Sequence, residues 1–300
     1  MTLFVQQLLI GIGNGVIYAS VALALVLIYR TTGILNFAQG EMALVTTYVL
    51  WQLTDSGVPI GAAVPLAVVV GFVMGALIER VIVRRVEESS ALTVVIVTIG
   101  MFLAANSIAQ FFFGSDSKIV PRSIPDKATT IADVKITLQP IALAGLLVLE
   151  CLVLWLLLQR TKLGLALRAV SSNPDSSRLV GISTGTMLMA GWAIAAALGA
   201  LGGAAAVSGG EALDASLMQR LLVFAFAAAA IGGFDSPLGA VVGGIIVGVA
   251  NAMTTTYLAD ANNGVDWLKG ITLVVPFGLI ALVLLFRPTG LFGRRVVERV

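Results

Sequence analysis

Histidine is absent from this chain, and cysteine occurs once, at Cys151. Losing histidine removes the commonest general base and metal ligand. No Cys/His cluster can then form around zinc, and no serine has a histidine to activate it. A single cysteine excludes an internal disulfide and leaves the redox compartment undetermined. None of the lysines is preceded by glycine, so the chain has no G-x-x-x-x-G-K-[ST] phosphate-binding loop. Covalent catalysis is therefore not expected, nor is a metal or nucleotide cofactor held by this chain. Charge is scarce as well: 11% of residues are charged, against about 25% in soluble domains. The net charge of +2 does not point to nucleic acid, because the basic residues cluster at the ends of apolar runs.

What is present is apolar, with 58% hydrophobic residues and a mean hydropathy of +1.02. Apolar segments lie near 8–28, 38–53, 59–78, 91–113, 137–158, 185–207, 217–232, 237–258 and 270–286. A helix needs about 20 apolar residues to cross hydrocarbon, where every backbone polar group must be satisfied internally. The expected fold is all-α: one polytopic membrane bundle over residues 1–300, with eight or nine hydrophobic segments. The second and seventh segments are short and rich in glycine or alanine, so tilted, broken or re-entrant helices are expected there. The N-terminus lacks the basic region of a signal peptide and counts as the first span.

Small residues recur every fourth position as Gly11-Gly15-Ala19, Ala67-Gly71-Gly75, Gly191-Ala195-Gly199-Gly203 and Ala240-Gly244-Gly248-Ala252. Each set lies on one helix stripe and lets backbones approach closely where lipid supplies no hydrophobic drive to association.

The stretch 159–184 carries Arg160, Lys162, Arg168 and Arg178 against one acid, Asp175. Within it Asn173-Pro174-Asp175 spells a helix start: an N-cap, a proline at the first helical position, and an acid at the positive end of the dipole. Basic loops tend to stay inside. With nine crossings, this loop, Arg30, Arg80, Arg84, Arg85 and the basic tail share the cytosolic side. Lys118, Arg122, Lys127, Lys135, Arg220 and Lys269 fall outside, four of them in an external loop at 114–136 that has room for a short strand.

Four further residues stand out for transport. Asn36, Gln39 and Glu41 lie between the first two segments, flanked by Gly33 and Gly40. Polar backbone at membrane depth is tolerated only where protein covers it or it lines a wet cavity. This turn is either an ordinary cytosolic turn capped by Asn36 or the lining of an inner mouth. The turn G-G-F-D-S-P-L-G at 232–239 has the same form, with Asp235 or Ser236 able to cap the next helix. Glu150 sits inside the fifth segment, where an ionisable group is costly and is a functional-site hypothesis by default. Asn106 and Gln110, four apart in the fourth segment, suit inter-helix bonding. On residues alone three readings stay open: the membrane subunit of an ATP-driven importer, a proton-coupled secondary transporter using Glu150 or Glu41, and a passive channel for urea or amides.

Three motifs carry a resemblance: T-T-G-I-L-N-F-A-Q-G-E-M (31–42), L-G-L-A-L-R-A-V-S-S-N-P-D-S-S-R-L-V-G-I (163–182) and G-G-F-D-S-P-L-G-A-V-V-G-G (232–244). Together they closely resemble the permease subunits of bacterial branched-chain amino-acid ABC transporters, of the LivH-like type. The likeness extends from Gly11 to the R-P-T-G-L-F-G tail at 287–293; urea and short-amide permeases are similar. The resemblance implies an inner-membrane subunit that works with a second permease, related or identical. It also implies two cytosolic ATPase subunits that bind the ATP, and a periplasmic or lipid-anchored binding protein. It further implies that 159–184 docks the ATPase, with Gly164, Arg168, Asn173, Pro174, Asp175, Arg178 and Gly181 as its matching residues. The orientation is open to direct test. In a Cys151→Ala background, Arg178→Cys should react with an impermeant maleimide only from the cytosolic face, and Lys118→Cys only from the outer face. The reverse pattern would overturn the assignment.

Overall fold

The computed structural model describes residues 2–87, 89–121, 128–131, 134–257 and 274–293. The helices among them are α1 (Thr2–Thr32), α2 (Gln39–Asp55), α3 (Ile60–Val81), α4 (Ala91–Phe113), α5 (Leu138–Arg160), α6 (Lys162–Ser172), α7 (Pro174–Leu179), α8 (Thr184–Ser208), α9 (Leu217–Gly232), α10 (Pro237–Tyr257) and α11 (Val274–Phe286). This is the expected helical membrane bundle, and every predicted apolar segment coincides with a helix. Six of the described helices are long and apolar enough to cross a membrane: α1, α3, α4, α5, α8 and α10. The others fall short, α2 at 17 residues, α9 at 16 and α11 at 13, so the helices do not establish a count of eight or nine spans. The start of the ninth segment (270–273), Lys269, Arg122, Lys127 and the tail arginines at 294, 295 and 299 lie outside the described residues. The 114–136 loop contains part of an antiparallel hairpin of β1 (Ala128–Ile131) and β2 (Val134–Thr137), in register from Ala128↔Thr137 to Ile131↔Val134.

The chain forms two compact units: residues 1–26, 124–147 and 221–300 make one, and 27–123 with 148–220 the other. In the first unit α1 packs against α10 through facing glycines. A Cβ at Gly15 would lie 2.7 Å from the Ile245 Cα and 2.8 Å from the Gly244 carbonyl oxygen. Gly11 meets Gly248 and Ala252 in the same way, so the two helices run antiparallel. Helix α9 ends at Gly233 (φ +100°), and the Ser236 hydroxyl accepts the Gly239 N–H at 3.0 Å to cap α10. The 287–293 tail closes on this turn, with Leu291 N–H donating to the Ile231 carbonyl at 2.7 Å.

The second unit is built around α8, which uses two stripes where the sequence suggests one. Gly71 and Gly75 of α3 face Trp192, Ala193, Ala196 and Ala200. The expected stripe of Gly191, Gly199 and Gly203 instead receives Thr31 at the end of α1 and then Gln39, Ala43 and Thr47 of α2. Helix α2 thus runs parallel to α8. It begins beside Ala195, about 16 Å along α8 from Thr184 at 1.5 Å per residue. A Cβ at Gly75 would sit 2.5 Å from the Trp192 carbonyl oxygen, whereas one at Gly100 on α4 would meet nothing within 4 Å. Gly75→Leu should therefore lose on the order of 1–3 kcal/mol or fail to fold, and Gly100→Leu should be tolerated. Thermal unfolding monitored by size-exclusion chromatography in detergent tests this, and equal melting temperatures would refute the packing.

Candidate functional site

The 159–184 loop is more structured than its sequence suggests. Thr161 caps α6, its hydroxyl accepting the Gly164 N–H at 3.0 Å. Leu167 and Val170 turn inward from this helix, and Gly164 packs directly on the backbone of Leu157 and Leu158. Sequence reasoning passed over α6, although Thr161 followed by apolar residues at 163, 167 and 170 has a cap and helical spacing. Asn173 then does what its type predicts: its side chain accepts the Ser176 N–H at 2.9 Å, with Pro174 at the first position of α7. That helix stops after six residues, and Gly181 turns the chain at φ +84°, backbone that side-chain-bearing residues rarely adopt.

Both central arginines fold back on this loop. Arg168 donates to Gln159 Oε1 at 3.0 Å and to the Gly164 carbonyl at 3.4 Å. Arg178 donates to Thr184 Oγ1 at 3.1 Å. What faces outward is apolar: Leu165 is 63% exposed, Leu179 88% and Val180 75%.

Behind α7 lies a cavity of about 350 Å³. Pro174, Asp175 and Arg178 form its α7 side, and Thr31, Thr32 and Asn36 its side at the α1–α2 turn. Thr98 of α4 and Thr184 and Trp192 of α8 add polar groups, and Glu87 adds a carboxylate. The cavity joins one of the proposed pathway residues, Asn36, to the 159–184 loop. Gln39, Glu41 and Glu150 do not line it.

Those three are held elsewhere. The Asn36 side chain accepts the Ala38 N–H at 3.0 Å and donates to Gln39 Oε1 at 3.4 Å. Gln39 donates to the Ala195 carbonyl of α8 at 3.0 Å. The Glu41 carboxylate receives Asn106 of α4 and Gln219 of α9, each at 3.1 Å, while Asn106 also donates to the Ala215 carbonyl at 2.8 Å. Glu150 is 2% exposed within α5.

One buried carboxylate carried no role in the sequence reading. Glu79 near the end of α3 is fully buried and takes a two-pronged contact from Arg84, at 2.8 and 3.1 Å. Arg84 also donates to the Gly185 carbonyl at 2.8 Å, which ties α3 to the first turn of α8. The signal available was a Glu at a span end with an Arg five residues on. Near the start of α9, burial opposes ionisation of Asp214, but hydrogen bonds from Arg220 and Ser216 and the Arg220 charge outweigh it and hold the carboxyl below its usual range. Their support is present at neutral pH and is lost only as pH falls through that lowered value.

Residues 7–284 match the family described as branched-chain amino acid transport system / permease component. The chain belongs to that family. The permease is 30% identical to the high-affinity branched-chain amino acid transport system permease protein BraD of Pseudomonas aeruginosa, over 99% of its own length and 98% of BraD. It is 29% identical to the LivH permease protein of the same kind of system in Escherichia coli, with the same coverage. A solved structure of PsaBC from Streptococcus pneumoniae in complex with Fab aligns with 95% of the permease and 92% of that chain, at 12% identity and a TM-score of 0.49, too distant to carry an argument.

The Glu41 cluster makes a stability prediction. Asn106→Leu leaves a buried carboxylate short of a donor and should cost on the order of 1–3 kcal/mol. Replacing all three partners by apolar residues (Glu41→Met, Asn106→Leu, Gln219→Leu) should recover part of that loss. A triple variant less stable than Asn106→Leu in a detergent thermal melt would show that the cluster is not held together by the hydrogen bonds to Glu41.

Proposed function

We propose that this permease is the membrane-spanning subunit of an ATP-driven importer for branched-chain amino acids, coupled to cytosolic ATPase subunits through the 159–184 loop. The observation that carries the reading is the shared cavity: the same wall that α7 forms on one side is completed by the Asn36 turn on the other. The exposed Leu179 and Val180 at the tip of the loop give an ATPase an apolar handle. Family membership and the named relatives support the substrate class, and the missing phosphate-binding loop supports fuel supplied by a separate subunit. The setting is a cytoplasmic membrane. A second permease subunit and a substrate-binding protein on the outer face complete the assembly, and ATP is bound by the partners.

In this reading Asn36 lines the inner mouth, Gln39 and Glu41 hold α2 in place, and Arg168, Asn173, Pro174, Asp175, Arg178 and Gly181 shape the docking loop. Gly164 seats α6 against α5. A proton-coupled transporter would need Glu41 or Glu150 on the pathway to exchange a proton with it, whereas Glu41 is held by amide donors from α4 and α9 and neither residue lines the cavity.

Co-purification with the cognate ATPase is the test. Leu179→Asp, or Arg168→Ala with Asp175→Ala, should reduce recovery of the complex at least several-fold and reduce ATP-driven leucine uptake in parallel. Undiminished complex and uptake would remove the loop from the mechanism. Uptake by the purified chain alone, driven by a pH gradient and abolished in Glu150→Gln, would establish the proton-coupled alternative. Uptake of urea that ignores ATP and gradients would establish a channel.

A further inference from the structure

We propose that the cavity behind α7 is a cytosolic-side binding site for a free amino acid with an aliphatic side chain, and that its occupant restrains α7. The proposal rests on the coupling role given to the loop above. Its size is the first argument. About 350 Å³ lies at the lower end of the range for small-ligand sites, roughly 300–1,000 Å³, and leaves room for a molecule of leucine's size with some water.

The lining chemistry is the second argument. A zwitterion asks for a cation, an anion and an apolar wall within one small space. Arg178 supplies the cation, and Glu87 and Asp175 supply carboxylates. Val83, Val94, Val170 and Leu188 supply the branched aliphatic surface. A dianion or an apolar lipid tail would satisfy only part of that set.

The third argument is an unmet donor. Trp192 lines the cavity, is 2% exposed, and its Nε1–H has no hydrogen-bond acceptor among the described residues. A buried indole N–H normally finds a partner, and leaving one unsatisfied costs free energy. The ring borders the cavity while its N–H is shut off from it, so a small rotation of the indole on binding would bring this donor onto the carboxylate of a bound amino acid.

Regulation follows from where the site lies. Asp175 and Arg178 belong to α7, so an occupant that contacts them binds best while α7 holds its present position. A ligand shifts a conformational equilibrium by its difference in affinity for the two states. Product accumulating in the cytosol would therefore hold α7 and slow turnover, a feedback built into the permease itself.

Two measurements test the two halves. In nanodiscs, isolated permease should bind radiolabelled L-leucine saturably, with displacement by valine and not by glutamate or urea. Trp192→Phe keeps the ring and removes the donor, and should weaken binding about fivefold or more. Asp175→Asn, at an exposed position with little risk to folding, should weaken it too. Absence of binding, or unchanged affinity in both variants, overturns the site. In proteoliposomes holding the complete importer, L-leucine on the ATP side should lower substrate-stimulated ATP hydrolysis several-fold relative to urea. Trp192→Phe should shift that inhibition to correspondingly higher leucine. Binding without inhibition overturns the restraint and leaves the site. Absence of any ATP-driven uptake overturns the importer reading and the restraint with it, while the binding result stands independently.

Discussion

The start of α2 is buried, and its polar groups must be satisfied by other parts of the protein. Asn36, Gln39 and Glu41 are each no more than 1% exposed. A buried polar group without a partner costs several times what a typical hydrogen bond contributes net. Each of the three therefore dictates where something else must be. Asn36 closes its own turn by taking the Ala38 N–H, Gln39 fixes α2 against α8, and Glu41 gathers α4 and the start of α9 around one carboxylate. A single short turn thus sets the mutual placement of α2, α4, α8 and the residues that lead into α9.

The glycine stripes and this polar turn work as one device. Gln39 reaches the Ala195 carbonyl only because Gly199 has no side chain; a Cβ there would lie 2.7 Å from Gln39 Nε2. Gly203 makes the same allowance for Thr47 one turn later, and Gly191 for Thr31 one turn before Ala195. On its other face α8 accepts α3 through Gly71 and Gly75. Close backbone approach supplies dispersion contact where lipid offers no hydrophobic drive, and it brings side-chain amides within reach of carbonyls on the neighbouring helix.

Much of this was legible because membrane helices write themselves plainly. The apolar segments matched helices within a few residues, and the Asn173 cap, the short α2 and α9 and the Ser236 cap follow from residue types and local rules. What escaped were relations between distant residues. The four small-residue stripes were visible as stripes, but a sequence does not say which faces which, and α8 presents α3 with residues one position away from the expected glycine row. Helix α6 was missed because eleven residues with mixed polarity look like loop beside spans twice as long. Asn36, Gln39 and Glu41 looked like one constellation by proximity in sequence. Helical rotation sends Gln39 to α8 and Glu41 to α4 and α9, while Asn36, just before the helix, stays at the cavity.

Under the importer reading, the same contacts decide where a push on the loop can go. A six-residue helix is too short to be stable alone, so α7 moves with whatever holds it. On one side it is tied to α8 through Arg178 and Thr184, and the first turn of α8 is tied in turn to α3 through Arg84, Gly185 and Glu79. That side is braced by a buried carboxylate and by glycine-mediated contact between backbones, neither of which yields without loss of stability. On the other side α7 borders open space rather than packed side chains. Displacement is therefore taken up by the cavity, whose far wall is the Asn36 turn at the start of α2. Force applied at Leu179 and Val180 would meet the permeation machinery there first, and anything occupying that space would stand in its way.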